Sequence, residues 1–315
     1  MKILRKLIHY LRYFTNLFFQ DPKIILQELK EDWKKDKISI KIKKNHNLIW
    51  ICSLPKSGST LVEEIVSFYP YVKLDRSLKR FYSSDLKKYS HDISHEMLES
   101  APKNILSFLK THTPYNKKFI EISKKFNLKI IITFRDIRDV MISRYHHILA
   151  DPNHDQFSTV SKMPKKEGFI YSFETKNYSK DGSFHKYGKY AVHNALEYYY
   201  DWIYNWKNNV KSVGGLELWY EDYILNKEKF LSKIMNFLNE KAEEDDIRSL
   251  QNYLFENKKR HIKRNLNTLI NDKSKGVSTF RSGKIGNWKS FFDDEINDKF
   301  NKCLPGPLEN VIKKL

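Results

Sequence analysis

Two kinds of segment alternate along this chain: short unbroken apolar runs, and longer stretches whose apolar residues recur three or four positions apart. Asn47 to Ser53 is an apolar run of buried-strand character, followed by a glycine-containing turn and a helical pattern through Phe68. Ile105 to Lys110 predicts a second short strand. Leu128 to Phe134, reading LKIIITF, predicts a third and leads through a charged turn into a helix from Ile137 to about Leu149. Further on, Ala191 to Val210 predicts an aromatic-rich helix, Leu216 to Tyr220 a strand, and Lys227 to Leu238 and Asp245 to Phe255 two more helices. Strands that alternate with helices imply a mainly parallel sheet covered by helices on both faces, an α/β fold. Ala150 to Tyr190 is polar and weakly periodic, which predicts a long functional loop or lid.

The N-terminus follows a third pattern. Ile3, Leu4, Leu7, Ile8, Leu11, Phe14, Leu17 and Phe18 recur at helical spacing with Lys2, Arg5, Lys6 and Arg12 among them, which predicts a basic amphipathic helix. It lacks both the long apolar run of a spanning segment and the small-residue cleavage site of a signal peptide. Two placements fit it: on an anionic membrane surface, as a peripheral contact through residues 1–20, or packed on the protein's own body. With no internal repeat and no long linker, residues 1–40 are expected to be an extension and 41–315 a single domain.

Composition adds two constraints. The chain carries 57 Lys+Arg against 38 Asp+Glu, a net charge of +19, which favours anionic partners without choosing among them. Two cysteines among 315 residues cannot build a disulfide framework or a zinc cluster, and they point to a reducing, cytoplasmic setting. No recognisable nucleic-acid module is present, so no nucleic-acid partner is expected.

The candidate chemistry sits where strands end. Leu54-Pro55-Lys56-Ser57-Gly58-Ser59-Thr60 joins a buried strand to a helix, the setting in which backbone N–H groups and a helix N-terminus attract phosphate. Its lysine precedes its glycine, so it is not the Walker A loop of a nucleoside-triphosphate enzyme. Arg135 follows directly on LKIIITF, at a strand's carboxyl end, where open α/β sheets bind ligands and a guanidinium fork suits phosphate. Arg138 and Asp139, just beyond, read as a surface or helix-start ion pair. Phe280 to Lys289 combines cations, Gly283, Gly286 and Trp288, a third anion-seeking segment.

The ordered set PKSGST, KTHTP, RDIRDVMIS, WYED and RSGKIGNWK resembles the sulfotransferases that use 3′-phosphoadenosine 5′-phosphosulfate (PAPS). That resemblance implies a P-loop-like α/β domain over 41–315. It implies PAPS as co-substrate, adenosine 3′,5′-bisphosphate as product, and no metal. It would have Lys56, Ser57, Gly58, Ser59 and Thr60 hold the 5′-phosphosulfate, Arg135, Ser143, Arg281 and Gly283 hold the 3′-phosphate, and Tyr220 touch the adenine. His112 in Lys110-Thr111-His112-Thr113-Pro114 falls on the family's general base, with Lys56 and Ser143 as its catalytic companions. The acceptor hydroxyl or amine, on a small molecule, glycan or lipid, is left open. The stretch around Lys162 to Lys189, with Phe169, Tyr171, Phe173 and Tyr178, is the expected acceptor wall. Departures are Leu61 for the tryptophan that stacks on adenine, Ser282 for a lysine, Asn287 for an aspartate, and Asp293-Asp294 where the family's dimer motif has Thr-Val. Two other readings stay open: a basic membrane-surface protein with an inactive nucleotide site, and a P-loop-related kinase, although the kinase's lysine after glycine and its magnesium-holding carboxylate are not found.

Overall fold

The computed structural model describes residues 48–67, 72–74, 106–152, 154–178, 193–238, 244–256 and 283–313. The 1–40 extension and Arg281 lie outside these residues. β1 (Leu48–Ser53) is buried at every position, so both of its faces are covered. It leads into α1 (Ser59–Ser67), and β2 (Val72–Leu74) and β3 (Leu106–Thr111) follow. Then come α2 (Lys118–Lys125), β4 (Lys129–Phe134) and α3 (Ile137–Ala150). α4 (Lys165–Glu174) precedes a two-stranded antiparallel pair, β5 (Lys176–Tyr178) with β6 (His193–Asn194). The chain continues through α5 (Ala195–Asn209), β7 (Leu216–Trp219), α6 (Tyr220–Leu225) and α7 (Lys227–Leu238). A helical stretch at 244–256 follows, and after it come α8 (Trp288–Phe291) and α9 (Asp294–Lys302).

The main sheet has the order β2-β3-β1-β4-β7, and every neighbouring pair is parallel. Alternation along the strands divides the core. Leu48, Trp50 and Cys52 of β1 and Ile130, Ile132 and Phe134 of β4 join one cluster with α2, α3 and α5. Ile49, Ile51 and Ile131, pointing the other way, are just as buried, and α1 and α7 supply Val62, Ile65, Phe230 and Ile234 to the remaining core. The expected α/β sheet with helices on both faces is therefore present. β7 ends one residue earlier than its pattern predicted, because Tyr220 opens α6.

Part of the segment expected to be a lid, the helix α4, is packed into the core. Phe169 and Phe173 of α4 are fully buried, and Phe169 packs edge-on against Phe173, Phe291 and Tyr145 at ring distances of 5.2, 4.8 and 5.6 Å. These two rings cannot serve as an acceptor wall. The short turn of the sequence and its interspersed lysines had masked a helix that buries only one side. Among the described residues, no helix is long and apolar enough to cross a membrane.

Candidate functional site

Four adjacent parallel strands end at one edge of the sheet and each delivers one candidate residue. The register pairs Cys52 of β1 with Thr111 of β3, Ser53 with Thr133 of β4, and Phe134 with Trp219 of β7. The next residues in the chain are therefore neighbours: His112 after β3, the Leu54–Gly58 loop after β1, Arg135 after β4 and Tyr220 after β7.

The loop after β1 is held by its own side chains. Ser57 is buried, and its hydroxyl lies 2.7 Å from the Leu54 carbonyl, 3.0 Å from the Thr133 carbonyl and 2.8 Å from the Thr133 hydroxyl. Its hydroxyl is engaged with groups inside the fold, so the Ser57 side chain shapes the loop. Lys56 and Gly58 on either side both have left-handed backbone, φ 71° and 95°. For lysine that conformation costs about 1 kcal/mol, strain of the kind concentrated at binding loops. At Gly58 a Cβ would also stand 2.9 Å from the Tyr220 ring, so the ring and the loop meet only because no side chain intervenes. Ser59 and Thr60 form the first turn of α1, whose N–H groups have no acceptor within the helix and face outward with its positive end.

Two cations converge on this loop. Arg135 is buried, with its guanidinium 4.7 Å from the centre of the Tyr220 ring. Its Nη1 donates to the Lys56 carbonyl at 3.4 Å and its Nη2 to the Lys284 carbonyl at 3.0 Å, while its buried Nε has no hydrogen-bond partner. Burial, with the nearby Arg135 charge, lowers the Lys56 ammonium to a pKa of about 8. An orphaned buried N–H beside a destabilised ammonium is the electrostatic imprint of an anion site.

His112 is positioned from both sides. Its Nδ1 lies 2.6 Å from the Ser53 carbonyl. A carbonyl can only accept, so Nδ1 carries the proton and the lone pair of the neutral ring sits on Nε2. The backbone around it is pinned by the aromatic helix: Trp202 Nε1 donates to the His112 and Thr113 carbonyls at 3.1 and 3.0 Å, and Trp206 Nε1 to Thr113 at 2.9 Å. Trp50 Nε1 donates to the Thr111 hydroxyl at 2.8 Å. Neither of the α5 tryptophans was singled out from sequence. Their spacing of four residues on a buried helix was the available signal, since a buried indole N–H needs an acceptor.

The chain matches the sulfotransferase domain family over residues 46–310. The chain belongs to the sulfotransferase family. Among curated relatives, it is 26% identical to sulfotransferase 1E1 of Bos taurus over 272 residues, covering 80% of each chain. It is 25% identical to flavonol 4′-sulfotransferase of Flaveria chlorifolia, covering 81% of this chain and 77% of that one. Among solved structures, mouse sulfotransferase SULT7A1 complexed with PAP aligns with a TM-score of 0.55 at 18% identity, over 84% of this chain and 85% of that one. Retinol dehydratase in a complex with retinol and PAP aligns at 0.52 and 18%, over 82% and 80%. At such identities the structures establish the fold alone, and the chemistry has to be argued from the residues.

In this sulfotransferase the remaining expected ligands divide. Ser143 is half-buried on α3, one turn beyond Asp139 and one turn before His147, whose imidazole is held below the usual histidine range by burial and then by the Lys56 charge. Ser143 thus lies on the same face of α3 as Asp139 and His147. Gly283 is in left-handed conformation, φ 64°, at the start of the described C-terminal segment. Arg138 forms a helix-start ion pair, but its partner is not Asp139. Arg138 is bonded instead to Asp136, the cap of α3, and its guanidinium lies 3.6 Å from the centre of the Trp288 ring. Asp139 is buried at 1% exposure and accepts the backbone N–H groups of Gly286 and Trp288. Asp293, in place of the family's dimer residues, caps α9 through the Ile296 N–H and pairs with Lys166.

Proposed function

We propose that this sulfotransferase moves a sulfuryl group from PAPS to a hydroxyl or amine of a small-molecule, glycan or lipid acceptor by in-line displacement, with His112 as general base. The observation that carries the reading is the unsatisfied buried Nε of Arg135 next to a Lys56 ammonium already weakened by burial. Both are relieved by one anion. Bound PAPS supplies an activated sulfuryl group attached to a good leaving phosphate.

The chain's own residues then divide the work. The first-turn N–H groups of Ser59 and Thr60 hold the sulfonated phosphate, and Lys56 stabilises the charge that grows on the leaving oxygen. Arg135, with Ser143 and Gly283, takes the second phosphate. Tyr220 lies against both Gly58 and Arg135, which gives the adenine a ring to rest on in the absence of the tryptophan replaced by Leu61. His112 accepts the acceptor's proton on Nε2, because Ser53 holds the tautomer that leaves that nitrogen basic.

The test is turnover of labelled PAPS with a panel of phenols, hydroxysteroids, sugars and amines, run for wild type and His112→Gln. The variant is expected to keep its nucleotide affinity and to lose about 10²–10⁴ in kcat, the usual share of a general base. Equal rates for the two proteins on every acceptor turned over would remove His112 from the mechanism.

A further inference from the structure

We infer that Asp139 is the positioning residue that docks the C-terminal glycine-containing loop, residues 283–288, against the nucleotide site and leaves Arg135 to the ligand. The inference rests on the reading of that site as one for an adenosine bisphosphate.

A buried carboxylate is costly unless its oxygens are paired. Asp139 uses one oxygen for the Gly286 N–H at 2.8 Å and the other for the Trp288 N–H at 3.2 Å. Nη2 of Arg135 is 3.6 Å from Asp139 Oδ2, an ion pair that is longer than a hydrogen bond. Arg135 would otherwise be the natural partner, one helical turn away at i,i+4 with opposite charge. The loop amides have taken the carboxylate in its place, and Nη2 donates to the Lys284 carbonyl of the same loop.

The loop is shaped for this. Gly286 has φ 72°, and a Cβ built there would meet nothing within 4 Å, so glycine is needed for the backbone turn and not for space. Asn287 Nδ2 closes the turn on the Lys284 carbonyl at 3.1 Å. Trp288 then lies under the Arg138 guanidinium, which Asp136 holds. Loop amides and Arg135 thus compete for one carboxylate. With the loop docked, the charge of Asp139 is spent on backbone N–H groups and the Arg135 Nε is left for a phosphate. With the loop undocked, Asp139 is free to tighten its 3.6 Å ion pair with Arg135 to hydrogen-bond distance and draw the guanidinium away from the site.

The test uses the full chain with Asp139→Asn, Asp139→Ala and Arg138→Gln. Binding of adenosine 3′,5′-bisphosphate is measured by calorimetry, and backbone amide exchange at 284–288 is measured on the ligand-free protein. Asn, which keeps one acceptor, should weaken binding about 5–10-fold and Ala about 30–100-fold, the scale of one and two net hydrogen bonds. In both, the Gly286 and Trp288 amides should exchange at least about tenfold faster, while kcat at saturating donor stays within about threefold. A general structural defect would instead lower kcat and melting temperature together. Arg138→Gln removes the contact with the Trp288 ring and the ion pair with Asp136 but leaves Asp139 in place, and should speed exchange and weaken binding about 2–5-fold; it decides the matter if the Asp139 variants do not fold. Wild-type affinity together with wild-type exchange in the folded variants overturns the inference. Failure of the wild type to bind the bisphosphate overturns the site reading instead, while the exchange data still report on Asp139 and the loop.

Discussion

Lys56 carries the clearest single-residue consequence. With a pKa of about 8 in the free protein, its amine is half deprotonated at pH 8. An anion bound beside it favours the charged form, so binding takes up a proton. Nucleotide affinity is therefore expected to hold below pH 8 and to fall as pH rises above it, by at most about tenfold per pH unit. Calorimetry at pH 8 in two buffers of different ionisation enthalpy should register an uptake of about half a proton, absent in Lys56→Met. Zero uptake with a flat affinity from pH 7 to 9.5 would contradict this. Residue by residue, the site was partly legible. Lys56 and Arg135 stood out because each lies in the turn after a buried run, whereas His112 was singled out by the family resemblance of its KTHTP setting. Asp139 did not, because a charged residue in a charged turn reads as surface until its partners, Gly286 and Trp288, are placed beside it. The inward hydrogen bonds of the Ser57 hydroxyl were not legible, because sequence cannot tell which way a hydroxyl turns.

At the scale of elements, legibility followed burial. β1 and β4 were read closely, since central parallel strands are apolar on both faces and carry a signal in every residue. α7 was read to its exact ends for the related reason that its apolar residues repeat at helical spacing. α4 was missed: its lysines and glycine dilute the pattern, and the aromatic partners that bury it, Phe291 and Phe292, lie more than 100 positions later. The correction is measurable. Phe169→Ala should destabilise the protein by about 3–5 kcal/mol in urea unfolding, as for a large buried aromatic. A change under about 0.5 kcal/mol would mean that the segment is the loose lid its composition suggested. α2, α8 and α9 were also unforeseen; each is short, and caps such as Asp293 on α9 identify a helix only once its packing is known.

For the whole molecule, the topology concentrates the candidate residues at one edge. Four parallel strands in register bring residues from positions 56, 112, 135 and 220 together, and the Asp139 contact adds the segment at 283–288. The net charge of +19 is consistent with anionic ligands but does not place them; the placement comes from two cations forced together at the sheet edge. What the acceptor is depends on walls that vary between members of a fold, and neither composition nor topology names it. The central claim, that this edge binds an adenosine bisphosphate, is tested most directly by calorimetric titration of the full chain with adenosine 3′,5′-bisphosphate beside adenosine 5′-monophosphate and ATP, repeated with Arg135→Ala. The account predicts a strong preference for the bisphosphate, weakened by about 100-fold or more in the variant, as expected when a buried charge-assisted pair of hydrogen bonds to phosphate is lost. Equal binding of all three nucleotides, or an affinity unchanged by Arg135→Ala, would contradict it.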